Sequence, residues 1–189
     1  MRLRNTEAAW GWPARAFHWA TAAVILFLLG LGIWMTDFVT DIYEQFGLIQ
    51  LHKSWGFVAF ALAAARLAWR VTHAAPPPVP GTPRWQVLAA EAAHWALYAL
   101  MLIMPLSGWL MASASSLQES YGIKNEVFGL FALPDPFVPG DRTLEGIFHQ
   151  IHELSAWALI ALVVVHAGAA LKHHFVDRDA TLRRMTSGR

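Results

Sequence analysis

The segment "HELSAWALIALVVVH", His152 to His166, decides how the chain is read. Two histidines bracket thirteen mostly apolar residues, which read as the interior of a membrane helix. The apolar run around them covers 147–171, and about twenty such residues are what a helix needs to cross a bilayer. Hydrocarbon offers an ionisable side chain no partner, so two imidazoles on one span call for a functional reason. Fourteen residues at about 100° each leave the two rings about 40° apart in azimuth and about 21 Å apart in height. They share one face at two levels. His149 is off that stripe by about 100°.

Working outward, three more apolar runs of similar length cover 16–36, 51–72 and 88–112. The 189 residues are 56% hydrophobic and only 14% charged, with a mean hydropathy of +0.39. Soluble domains carry nearer a quarter charged residues. The expected fold is therefore an all-α membrane protein. It is a single domain over 1–189, a four-transmembrane-helix bundle with an outer loop over 113–146. The first run is long for the apolar part of a signal peptide, lacks a small-x-small cleavage site and carries His18. "APPPVPGTP" (75–83) reads as a stiff linker between the second and third spans. Pro105 should kink the third or open its hydrogen bonding locally. With no cysteine, disulfides, Cys-ligated zinc, iron–sulfur clusters and the C-x-x-C-H attachment of c-type haem are excluded.

Basic residues orient the bundle. With the N-terminus cytoplasmic, that side holds eleven cations: Arg2, Arg4, Arg15, Arg66, Arg70, Arg84, Lys172, Arg178, Arg183, Arg184 and Arg189. The other side holds Lys53, Lys124 and Arg142, against nine acids: Asp37, Asp41, Glu44, Glu119, Glu126, Asp135, Asp141, Glu145 and Glu153. Both termini are expected to be cytoplasmic. His18 and His94 then lie near the inner face, His52 and His152 near the outer face, and His166 deeper toward the inside. The outer level pairs His152 with His52. The inner level pairs His166 with His18 or His94.

Paired imidazoles from facing helices suit haem better than a bare metal. A structural zinc site wants four protein ligands, whereas haem needs only two axial ones and a bundle core can house the ring. Ala161, Ala167, Gly168, Ala169, Ala170 and Gly56 leave room for a flat macrocycle. The plainer alternative, an interhelical hydrogen bond, applies to any one histidine but strains to explain four in two matching levels. For His149, His73 and His174 the plain alternative holds, as interfacial side chains near headgroups.

The chain resembles the prokaryotic cytochrome b561 family, the small four-span di-haem type. The likeness runs through "RAFHW" in span one, "LHKSWG" and "RLAWRV" in span two and "AAHWALYALMLIMPLSGWLM" in span three. "IHELSAWALIALVVVHAGAALKHHF" in span four, followed by "DRDATLRRM", completes it. The resemblance implies two b haems, held by His18 and His166 on the inner side and by His52 and His152 on the outer side. It disfavours His94 as an axial ligand. It also implies a bacterial inner-membrane protein that passes electrons between a donor at one end and ubiquinone at the other.

Other residues find roles by chemistry. Arg66 and Arg70, one turn apart near the inner end of span two, suit a haem propionate or a quinone head group, or anchor the span at the phosphates. Lys53 would pair with an outer propionate or snorkel. His173, two turns after His166, would hydrogen-bond a quinone carbonyl. Trp10, Trp12, Trp34, Trp69, Trp85 and Trp109 read as interfacial anchors. Three functions compete: a superoxide:ubiquinone oxidoreductase, a di-haem subunit linking a partner dehydrogenase or hydrogenase to quinone, and a non-redox metal or proton bundle. Superoxide oxidation needs no general acid or base. The acidic outer side counts against it, because an anion is steered by positive potential. The modest outer loop counts against a dedicated partner; its "VFGLFALPDPF" could equally lie on the membrane as a short amphipathic cover. The favoured expectation is superoxide oxidase, by a margin that comes mainly from the resemblance. Besides lipid, quinone and superoxide or a redox partner, no nucleic acid is expected to bind.

Overall fold

The computed structural model describes residues 3–137 and 139–188, apart from the Glu119 side chain. Arg2, Arg189 and the Glu119 carboxylate, all counted in the charge balance above, lie outside that description. Four helices are long and apolar enough to cross a membrane: α1 (Trp12–Asp37), α2 (Ile42–Thr72), α3 (Arg84–Ala114) and α5 (Arg142–Lys172). Between α3 and α5 come the short helix α4 (Ser116–Tyr121) and the strands β1 (Glu126–Val127) and β2 (Phe131–Ala132). After α5 a π-turn, His173–Asp177, leads into α6 (Thr181–Thr186).

Each long helix overruns its apolar stretch, and polar chemistry at the ends explains why. Pro13 falls in the first turn of α1, where its missing N–H costs nothing. Asp41 starts α2 well before residue 51, accepting from the N–H groups of Tyr43 and Glu44 at 3.0 and 2.9 Å. Asp141 does the same for α5, at 3.0 Å from both Thr143 and Leu144. Such caps stabilise a helix end by roughly 1 kcal/mol. Pro105 sits inside α3 without ending it.

Backbones pack closely where α3 meets α5, α1 meets α2 and α2 meets α3. Ile25, Leu28, Ala59, Ala63, Tyr98, Met101, Met104 and Leu159 form the buried core. It lies at mid-height, since Leu159 is halfway between His152 and His166. Only 11–22% of the most apolar window of each span is buried. Outward residues such as Phe27, Leu154, Trp157, Val164 and Val165 are exposed, the pattern of helices solvated by lipid.

The outer loop folds back on the bundle. Val127 and Phe131 pair in an antiparallel hairpin, turned by positive φ at Phe128 (52°) and Gly129 (68°). The Phe128 N–H donates to Ser54 Oγ of α2 at 2.9 Å, and the Phe128 ring meets Trp55 edge-on. Asn125, almost fully buried, donates to Ser113 Oγ and to Asp135 at 3.1 and 2.6 Å. The loop is a folded cap tied to α2 and α3.

The other end is tied as firmly. The Arg184 guanidinium of α6 donates to the carbonyls of Glu7, Ala8 and Pro77. Trp19 Nε1 donates to Met185 O at 3.1 Å and Arg15 to Thr186 O at 3.0 Å. Both chain ends and the proline linker thus meet at one end of the bundle.

Candidate functional site

α5 faces α1 and α2 through imidazoles, at two levels. His52 and His152 lie with ring centroids 6.3 Å apart, and His18 and His166 with theirs 6.2 Å apart. His94 of α3 reaches the inner level too, 5.4 Å from His166 and edge-on. Two imidazoles on opposite sides of one metal ion, with metal–nitrogen bonds of about 2 Å and ring centres about 1.2 Å behind the nitrogens, have centroids about 6.4 Å apart. Both expected pairs meet that spacing. The His94–His166 spacing is about 1 Å shorter.

Local contacts hold the rings in place. His152 Nδ1 lies 2.8 Å from the Met104 carbonyl; a carbonyl only accepts, so Nδ1 carries the hydrogen and Nε2 keeps its lone pair. That is how metal-ligating histidines are usually oriented. Ser107 Oγ is 3.4 Å away on the same side. Gly108 makes the approach possible, because a β-carbon there would lie 3.0 Å from His152 Cε1. Gly32 faces the His52 ring in the same manner, with 3.5 Å to Cε1. Nδ1 of His18 and of His52 is buried and, among the described residues, has no hydrogen-bond partner. An interhelical hydrogen bond through that nitrogen therefore does not explain either ring. Nitrogen donors in facing pairs, with small residues beside them, fit a planar group held by two axial ligands.

Arg66 lays its guanidinium over the Tyr98 ring, 5.3 Å from the centroid. Its charge reaches His18, His94 and His166. Among the described residues no carboxylate pairs with Arg66 or Arg70. Lys53 instead reaches the outer loop, with Nζ 3.4 Å from the Lys124 carbonyl and Asp135 and Glu126 near it.

His173 is half-buried below His166, its Nδ1 2.6 Å from Asp179 and 3.2 Å from Asp177. Burial works to raise the Asp179 carboxyl. Hydrogen bonds from Thr181 and His173 outweigh it and hold the group below the ordinary carboxylate range.

The remaining histidines stay apart from these levels. His149 is exposed beside Glu153, and His73 stacks on Trp69 at 3.7 Å. Trp69 and Trp109 are not simple interfacial anchors. Each has a buried Nε1 that finds no acceptor among the described residues, and Trp109 meets Phe57 edge-on. Sequence reasoning also missed the Met104 carbonyl, Gly32, Gly108, Tyr98 and Asp179. A glycine facing a histidine across a helix pair leaves no periodic trace, and a main-chain carbonyl leaves none at all.

A bundle of membrane length with imidazoles paired at two levels defines a membrane cytochrome of the b type. The model of the prokaryotic cytochrome b561 family matches residues 9–188, and the chain belongs to that family. Members carry b-type haem and transfer electrons in membranes. The chain is 34% identical to cytochrome b561 homolog 2 of Escherichia coli (strain K12), over 98% of this chain and 95% of that one. It is 26% identical to the probable superoxide oxidase CybB of Yersinia pestis, over 89% and 90% of the two. It is 21% identical to the probable Ni/Fe-hydrogenase B-type cytochrome subunit of Rhodobacter capsulatus, over 100% and 82%.

Proposed function

We propose that the protein is a di-haem b oxidoreductase of the bacterial inner membrane, with its termini cytoplasmic. His52 and His152 hold the outer haem and His18 and His166 the inner one. Electrons enter at the outer end and leave to ubiquinone at the inner end. The observation that carries this reading is the pair of ring spacings, 6.3 and 6.2 Å, which would let each histidine pair hold one haem between its rings. Haem iron, when bound, supplies one-electron chemistry between its ferric and ferrous states.

The chain's own residues do the rest. Met104 O fixes the tautomer of His152, and Gly32 and Gly108 admit the rings. Leu159, Ile25 and Met101 exclude water between the levels. Arg66 and Arg70, which meet no carboxylate among the described residues, offer cations to a propionate or to a quinone head group. His173, its Nδ1 held by Asp179, offers Nε2 to a quinone carbonyl.

Superoxide is the outer donor in this reading, supported by the similarity to the Yersinia pestis protein. A second reading takes its support from the outer end. Lys53 is drawn to a loop carbonyl and lies near Asp135 and Glu126, which favours a donor protein over a free anion. The test is a haem count by pyridine haemochrome on purified protein, then stopped-flow reduction by superoxide with quinone present. Two haems per chain with fast superoxide-dependent quinol formation is the expected result. Two haems with no superoxide reaction would transfer the function to the electron-transfer subunit. A chain that takes up no haem would end the cytochrome reading.

A further inference from the structure

Two indole N–H groups lie where hydrocarbon offers them no acceptor. Trp109 Nε1 of α3 and Trp69 Nε1 of α2 are both buried, and neither meets a hydrogen-bond partner among the described residues. Water and lipid head groups do not reach atoms so enclosed. A buried donor left unmade is destabilising, and more so at low dielectric. Buried polar groups in folded chains are nearly always paired, so each N–H calls for an acceptor that the chain itself does not supply.

Each indole belongs to one histidine level. Trp109 follows Gly108, where a β-carbon would lie 3.0 Å from His152 Cε1. Its ring meets Phe57 edge-on at 6.3 Å, so it is held between α3 and the helix that carries His52. Trp69 packs on Phe17, the residue before His18, with ring centroids 6.3 Å apart. His73 stacks on the same indole at 3.7 Å and nearly parallel, at 8°. Protein neighbours thus set the orientation of both rings.

One orphan donor per level matches one haem per level. The acceptors that a b haem brings are its propionate carboxylates, and an N–H bond to a carboxylate is stronger than one between neutral groups. The levels differ in what else is near. At the inner level the Arg66 charge reaches His18 and His166. At the outer level Lys53 is drawn to the Lys124 carbonyl, 3.4 Å away.

We propose that Trp109 and Trp69 are positioning donors for the outer and inner haems, each holding a propionate through its Nε1–H, an inference that rests on the di-haem assignment above. Such a bond neutralises part of the carboxylate charge. It keeps the haem in place and favours ferrous iron, which profits less than ferric iron from a negative charge nearby. Trp109 carries the outer propionate, whereas Trp69 shares the inner one with Arg66.

The experiment uses full-length, haem-loaded protein in detergent. Redox titration followed by absorbance, repeated from about pH 5.5 to 8.5, gives the potential of each haem. Haem per chain at limiting haem gives its binding. Trp109→Phe keeps an aromatic ring and removes the N–H. It should weaken one haem about tenfold and move that haem's ferric-to-ferrous balance, at fixed potential, about tenfold toward ferric. The propionate then holds its proton more tightly, so the pH range over which that potential changes should move upward. Trp69→Phe should do the same to the other haem, by about threefold because Arg66 remains. Trp109→Gln restores an N–H at similar reach and should recover most of the potential; Trp34→Phe, at an exposed indole, should change neither haem. Potentials and pH profiles unchanged in Trp109→Phe and Trp69→Phe would overturn the proposal with the haems still in place. Equal haem loss in Trp109→Phe and Trp109→Gln, with an unmoved pH profile, would reduce the indole to packing. Wild-type protein that binds fewer than two haems would remove the di-haem assignment itself, and the propionate bonds with it.

Discussion

Gly108 offers the sharpest test of how the outer level is built. Alanine in place of glycine within a helix gains about 1 kcal/mol from backbone preference alone. Gly30 of α1 shows that gain uncomplicated, because a β-carbon there meets nothing within 4 Å. At Gly108 the same β-carbon would lie 3.0 Å from His152 Cε1 and 3.1 Å from Nδ1. The ring must retreat by a few tenths of an ångström, yet its Nδ1–H is held 2.8 Å from Met104 O. Losing that hydrogen bond in a buried setting costs about 1–3 kcal/mol, enough to cancel or reverse the helical gain. Because His152 is a proposed ligand, the cost should fall on haem. At about 1.4 kcal/mol per decade, Gly108→Ala should weaken outer-haem binding roughly five- to a hundredfold relative to Gly30→Ala. The assay is haem per chain at limiting haem, with melting followed in parallel. Gly30→Ala should melt slightly higher with unchanged haem, and Gly108→Ala should lose one haem of two. Equal haem occupancy and equal melting shifts in the two variants would refute the close packing of His152 on α3.

Four further outcomes follow from the same geometry. His52→Ala and His152→Ala should each remove the outer haem alone, His18→Ala and His166→Ala the inner one alone, and His94→Ala neither, as counted by haemochrome spectra; a haem lost with His94 would reverse the choice of His18. Arg66→Gln should slow reoxidation by quinone or shift the inner haem potential while Arg66→Lys is milder, and redox titration showing no change in either would return Arg66 to lipid anchoring. Ser54→Ala removes the acceptor of the Phe128 N–H at 2.9 Å and should cost about 1–3 kcal/mol, read as faster hydrogen exchange at the hairpin. Asp179 titrates below its ordinary 3.8 in the folded chain, so its contribution is complete above that value and is lost as pH falls through the lower folded one. Exchange protection of α6 should stay flat from pH 7 down to about 4 and drop below it; protection unchanged below pH 4 would remove Asp179 from the hold on α6.

The four spans, the shared stripe of His152 and His166, and the two levels were all legible in the sequence. They rest on periodicity and on the absolute cost of ionisable groups in hydrocarbon, which are properties of one helix at a time. The choice between His18 and His94 was not legible in that way. Both lie near the inner face, and only the packing of α1 and α3 around α5 separates a 6.2 Å spacing from a 5.4 Å one. The hairpin of the outer loop was not legible for a related reason. It depends on Ser54 and Asn125, the first of them more than seventy residues away in the chain.

The sequence by itself determined a membrane bundle with histidines at two depths, because helix pitch and hydrophobic length convert spacing directly into height. Tertiary structure alone decided which rings face each other, which carbonyl sets the tautomer of His152 and which carboxylate holds His173. Those are contacts between helices, or across a turn whose path departs from α-helical pitch, and no spacing along the chain encodes them. The glycines that let the rings approach belong to the same class: their role exists only once a neighbouring helix is in place.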